Sequence, residues 1–134
     1  MRRALFCMVS LLIYLGQWVP AAAQDGQVCS WNADHDLRIR VCTKLIDKGS
    51  RSTNELSRAY ENRCDAYFQK GDYSRAIVDC NEAVRLNLKS ADARAKRGLI
   101  YAFQGVYDRA VEDLSEAIRI DPNLAHLYIT RANT

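Results

Sequence analysis

The sequence repeats itself at a fixed interval. Residues 57–90 set above residues 91–124, at an offset of 34 with no gap, agree at eleven positions. The identities are Ala59/Ala93, Arg63/Arg97, Tyr67/Tyr101, Gly71/Gly105, Tyr73/Tyr107, Arg75/Arg109, Ala76/Ala110, Asp79/Asp113, Glu82/Glu116, Ala83/Ala117 and Arg85/Arg119. Ile77/Val111, Val84/Ile118 and Leu86/Ile120 keep their apolar character. Self-similarity at this period marks an architecture in which each unit buries an apolar face against the next.

Each unit reads as two helices. Ala59, Tyr60, Arg63, Ala66 and Tyr67 recur at steps of three and four, which is a helical stripe. Gly71 breaks the run, and the stripe resumes through Tyr73, Ala76, Ile77, Cys80, Ala83 and Val84. The second unit repeats the pattern, with Gly105 as the break and Asp121-Pro122 as the stop. Small residues stand where two helices must approach closely: Cys64 or Gly98 on the first helix, Ala76/Ala83 and Ala110/Ala117 on the second. No strand-like alternation competes, so the fold class is all-α.

A 34-residue helix-turn-helix with Gly98, Tyr101, Gly105, Tyr107, Ala110, Ala117 and Pro122 in register resembles the tetratricopeptide repeat. The first unit matches at Tyr60, Tyr67, Gly71, Tyr73, Ala76 and Ala83, with Cys64 where Gly is usual and Leu88 where Pro is usual. The resemblance implies a short superhelix of antiparallel helix pairs whose first helices line a concave, protein-binding face. Carried onto this sequence, the groove positions are Arg58, Glu61, Asp65, Phe68 and Gln69, then Asp92, Ala95, Leu99, Ala102 and Phe103, with His126 and Ile129 following. They make an acidic mouth beside an apolar strip of Phe68, Leu99 and Phe103. Glu61 and Asp65 stand where a clamp for a terminal carboxylate needs donors. The expectation is a neutral or basic segment with an apolar anchor, and not a chaperone tail.

The remaining chain divides around the repeats. Arg2 and Arg3, the apolar run Ala4–Leu15 and the small-residue stretch Ala21–Ala23 have the layout of a secretory signal peptide, which predicts residues 1–23 as a leader cut after Ala23. The run is shorter than the roughly 20 residues a membrane span needs. The expected destination is the periplasm or the secreted fraction, without stable membrane insertion. Residues 24–56 form an arm and a cap helix: Leu37, Val41, Leu45 and Ile46 share a face, Asp34 or Asp36 caps the start, and Gly49 closes the end. Ser52-Thr53-Asn54-Glu55 is a capping box that starts the next helix near Thr53 and carries it to about Lys70.

Loss of the leader removes two of the 19 basic residues and leaves 17 against 16 acidic ones, a net charge of +1. That balance gives no nucleic-acid footprint. Four cysteines remain, Cys29, Cys42, Cys64 and Cys80, which suggests disulfides in an exported chain. Cys29–Cys42 is the pairing expected, pinning the arm. Cys64 and Cys80 sit on the two helices of one repeat and either bond or remain buried thiols; their small-core positions favour thiols. His35 and His126 have no ligand-spaced partners, and no phosphate loop or nucleophile motif occurs. No enzyme, metal or cofactor is expected.

Two further expectations concern charge and ending. Arg63, Arg97 and Arg131 recur with Asp79 and Asp113, which suggests an inter-repeat ladder, Arg97 with Asp79 and Arg131 with Asp113; local Arg75/Asp79 and Arg109/Asp113 pairs are the competitor. A third repeat starts at Ala125, with Tyr128 and Arg131 in register, and stops at Thr134. This predicts a partly uncovered final face including Leu114 and Ile118. A homo-oligomer assembling through that face is the alternative to a peptide-binding scaffold, and the chain would then be an assembly subunit or a fragment of a longer protein.

Overall fold

The computed structural model describes Cys29 and residues 34–49 and 52–124. The leader, Trp31 and residues 125–134, including His126, Tyr128, Ile129 and Arg131, lie outside the described residues. The elements are α1 (His35–Asp47), α2 (Thr53–Gln69), α3 (Tyr73–Leu86), α4 (Ala91–Phe103) and α5 (Tyr107–Ile120), with no strand among the described residues. The fold is an all-helical superhelix. Helix α2 pairs with α3, α4 pairs with α5, and α1 packs on α2.

The turns follow from two glycines. Gly71 and Gly105 have φ of 75° and 74°, the left-handed conformation that closes a helix and reverses the chain. The geometry is the same in both repeats: the Asp72 amide donates to the Tyr67 carbonyl at 2.9 Å, and the Val106 amide to Tyr101 at 2.9 Å. Asp72 also caps α3 by accepting from the Arg75 amide. Ser52 stands at the N-cap position of α2, which begins four residues ahead of the repeat frame.

Small residues set the spacing of each pair. Ala76, Ala83, Ala110 and Ala117 are fully buried. A Cβ added at Gly98 would lie 3.0 Å from Leu114 Cγ and 3.2 Å from Asp113 Cβ, so this position holds glycine because Leu114 fills the gap. The equivalent positions one repeat earlier are Cys64 and Cys80. There the structure corrects the expectation of thiols: the two sulfurs are bonded, with Cα atoms 5.5 Å apart. A close approach that seats a leucine over a glycine in one repeat is bridged covalently in the other. Gly98→Val is therefore expected to cost about 1–3 kcal/mol by overpacking, read as a lower urea midpoint.

The charge ladder takes neither form expected. Arg63 grips Asp79 through Nε and Nη2 at 2.7 and 2.8 Å, and Arg97 grips Asp113 in the same way at 2.7 and 2.7 Å. Both pairs join the first helix of a repeat to its own second helix. The antiparallel hairpin sets residues 16 apart face to face, while Arg97 reaches back across the repeat boundary only to Asn81, at 2.9 Å. These carboxylates hold the Arg63 and Arg97 guanidinium pKa values above their usual range, chiefly by accepting those hydrogen bonds. Arg75 pairs with Asp72 instead of Asp79, and Arg109 lies against the Tyr101 ring.

Leu114 and Ile118 also differ from expectation. Both are buried, in one cluster with Ala95 and Ala117 against which Leu99 and Leu124 pack. The helical stripe turns them inward onto α4, so neither is presented on an outer face. Among the described residues, no helix is long and apolar enough to cross a membrane.

Candidate functional site

Helices α2 and α4 lie side by side in contact, and α1 stands beside α2. Their facing sides enclose a polar basin of about 600 Å³, lined by Arg38, Ser57, Arg58, Glu61, Asn62, Asp65, Asn87, Ser90, Asp92 and Lys96. It continues into a more apolar cleft of about 250 Å³, lined by Asp65, Phe68, Gln69, Asp92, Ala95, Lys96, Leu99 and Leu124. Asp65, Asp92 and Lys96 border both, so the two cavities form one groove.

The groove is electrically balanced, which corrects the acidic mouth read from the sequence. Lys96 Nζ donates to Glu61 Oε1 at 3.0 Å, and Ser90 Oγ donates to Glu61 Oε2 at 3.4 Å. Arg38 Nη1 donates to Asp65 Oδ2 at 2.5 Å. Both acids that were expected to repel a carboxylate are thus paired, and that repulsion argument falls. Arg58 and Asp92 are exposed and have no hydrogen-bonding or ionic partner among the described residues.

Most predicted groove residues do meet. Arg58, Glu61 and Asp65 line the basin, Asp92 borders both cavities, and Phe68, Gln69, Ala95 and Leu99 line the cleft. Ala102 and Phe103 line neither. Phe103 is 67% exposed at the end of α4, its ring 5.3 Å from Phe68 and 6.2 Å from Tyr73. That places it on a rim of aromatic side chains beside the turns. His126 and Ile129 lie outside the described residues.

Two charged groove residues were missed, beside the uncharged Ser57, Asn62, Asn87, Ser90 and Leu124. Lys96 follows Ala95 and stands four residues after Asp92 on α4, so helical spacing could have found it. Arg38 comes from α1, outside the repeats, and nothing in the 34-residue register points to it. Its side chain is 9% exposed, and its Nε is buried with no partner among the described residues. Its position depends on how α1 is fastened. Cys29 and Cys42 sulfurs lie 2.12 Å apart, in a cluster with Val41 and Ala59. Lys70 pairs with Asp36, and Arg63 Nη1 donates to Thr43 Oγ1 at 2.9 Å.

Paired helices stacked around a concave face define a helical-repeat scaffold. Residues 65–105 match the family described as "TPR repeat", and residues 91–124 match that described as "Tetratricopeptide repeat". Residues 65–124 thus match tetratricopeptide repeats, and the described residues have their fold. No curated protein shows significant similarity to it.

Solved structures agree on the fold. "First TPR of Spaghetti (RPAP3) bound to HSP90 peptide SRMEEVD" has a TM-score of 0.72 and 24% identity, covering 82% of this chain and 84% of that one. "TPR2B-domain:pHsp70-complex of yeast Sti1" has 0.70 and 20%, covering 84% and 94%. "Crystal structure of MamA protein" has 0.65 and 28%, covering 72% of this chain and 51% of that one, so this chain spans about half of MamA. Two of these relatives are bound to heat-shock peptides or proteins.

Proposed function

We propose that this chain is a non-catalytic scaffold that holds a segment of another protein in the α2–α4 groove. It would act in the periplasm or outside the cell after loss of its leader near Ala23. The observation that carries the reading is the continuity of the polar basin with the apolar cleft. Such a groove orients a polar backbone and receives one large side chain beside Leu99 and Leu124. A segment with one apolar anchor suits it, and Asp92 is left free for a basic side chain while Arg58 is left free for an acidic one, which narrows the neutral or basic segment expected from the sequence. The likeness to repeat domains that hold peptides supports the mode of binding. Two cystine pairs within so short a stretch suit an oxidising compartment.

Peptides selected from a random display library on the immobilised chain test this reading. They are expected to share one large apolar residue. Gln69→Trp, an exposed change that fills the cleft, is expected to weaken them at least about tenfold by calorimetry, roughly the loss of one buried side chain, with an unchanged helical spectrum. Binding indifferent to Gln69→Trp would place the ligand elsewhere. Phe103→Asp, on the rim, is expected to weaken binding less.

A further inference from the structure

The unpaired charges of the groove occupy equivalent places. Arg58 on α2 and Asp92 on α4 are 34 residues apart, the length of one repeat, so they take the same position on adjacent helices. Both are exposed and line the basin, while every other charged side chain there is already paired, Arg38 with Asp65 and Lys96 with Glu61. Packed helix axes stand about 8–10 Å apart. Among the described residues, the floor between the two free groups is therefore neutral, with one free cation on its α2 side and one free anion on its α4 side. The apolar cleft opens beside the anion, since Asp92 borders it and Arg58 does not.

We propose that the groove recognises an extended, mixed-charge polypeptide segment, one that sets a carboxylate on Arg58, a basic side chain on Asp92 and a large apolar side chain in the Leu99 cleft. This deepens the reading of the groove as a protein-binding site and rests on it. A segment in the extended polyproline II conformation advances about 3.1 Å per residue and returns to the same face every third residue, so the acidic and basic side chains lie about three positions apart. A uniformly basic segment would bring a like charge to Arg58, and a uniformly acidic one would bring a like charge to Asp92. The internal pairs raise the cost of misplacing charge further. A ligand cation drawn toward Glu61 must displace Lys96, and a ligand anion drawn toward Arg38 must displace Asp65.

Fluorescence anisotropy with four short synthetic peptides tests the proposal. All carry the same central leucine; one has glutamate and lysine three positions apart, one is all-acidic, one all-basic and one neutral. The mixed-charge probe is expected to bind about fivefold more tightly than the others, the scale of exposed ion pairs, with the advantage fading at high salt. Arg58→Asp is expected to move the preference to the all-basic probe and Asp92→Arg to the all-acidic one. The double exchange, Arg58→Asp with Asp92→Arg, is expected to restore the preference for the mixed probe. Equal binding of all four probes, still blocked by Gln69→Trp, would overturn the charge assignment and leave the groove standing. Binding of no probe, or binding untouched by Gln69→Trp, would overturn both. Arg58 and Asp92 are exposed, so these variants keep the core, which circular dichroism checks.

Discussion

Replacing both Cys64 and Cys80 with alanine is expected to remove about 3 kcal/mol of stability, the chain-entropy value for a closed loop of this size. The two residues are 16 apart in sequence and join α2 to α3. Both are fully buried at places where the repeat otherwise seats small or apolar side chains, so alanine introduces no clash. The loss should come mainly through the unfolded chain, which gains freedom when the loop opens. In a domain of this size it corresponds to a fall in melting temperature of about 10–20 °C, measured by circular dichroism. Dithiothreitol should lower the wild type further, since it also opens Cys29–Cys42, and should lower the double variant only by the share that Cys29–Cys42 contributes. The Arg63–Asp79 pair lies one residue along on each helix and would then hold α2 to α3 without the covalent link.

The second large effect is expected at Leu114. It is fully buried and packs over Gly98 with Ala95, Ala117 and Ile118. Leu114→Ala should cost about 2–5 kcal/mol, from lost transfer energy and the cavity left behind. Leu114→Lys should cost more, because a charge would enter a site with no partner at hand. Either variant is a probe of folding and not of an outer surface. Gly98 supplies an internal control: adding Gly98→Val to Leu114→Ala should recover part of the loss, since the new side chain enters the space that the leucine vacated. Urea denaturation of the two single variants and the double variant gives that coupling directly. Strict additivity would mean that the two residues do not share the gap.

The repeats were legible because packing is written twice. Ala76/Ala110 and Ala83/Ala117 recur since each hairpin needs the same close approach, and Gly71/Gly105 recur since each needs the same left-handed turn. Helix limits followed from the same residues. The sequence could not say which of two partners a recurring charge would choose. Arg97 stands 18 residues after Asp79 and 16 before Asp113, and only the hairpin geometry decides for Asp113. Cys64 and Cys80 posed the same problem, because a small buried residue and half of a cystine obey the same size rule.

The groove was half legible. Positions on α2 and α4 followed from the repeat register, which found Arg58, Glu61, Asp65, Phe68, Asp92, Ala95 and Leu99. Its electrostatics did not follow, because charges on different helices cancel only once those helices are placed. Arg38 neutralises Asp65 from α1, an element with no counterpart in the repeat. A list of groove residues taken from the repeats alone therefore overstated the negative charge.

A partner is expected to bind on the concave face of α2 and α4. Amide NMR spectra of the isotopically labelled chain, recorded while a display-selected peptide is titrated in, test it most directly. Shifts are expected to concentrate along Ser57–Gln69 and Asp92–Leu99, extending to Leu124. Shifts confined to the opposite helices, around the exposed Val78 of α3 and Val111 of α5, with the groove amides unmoved, would contradict it.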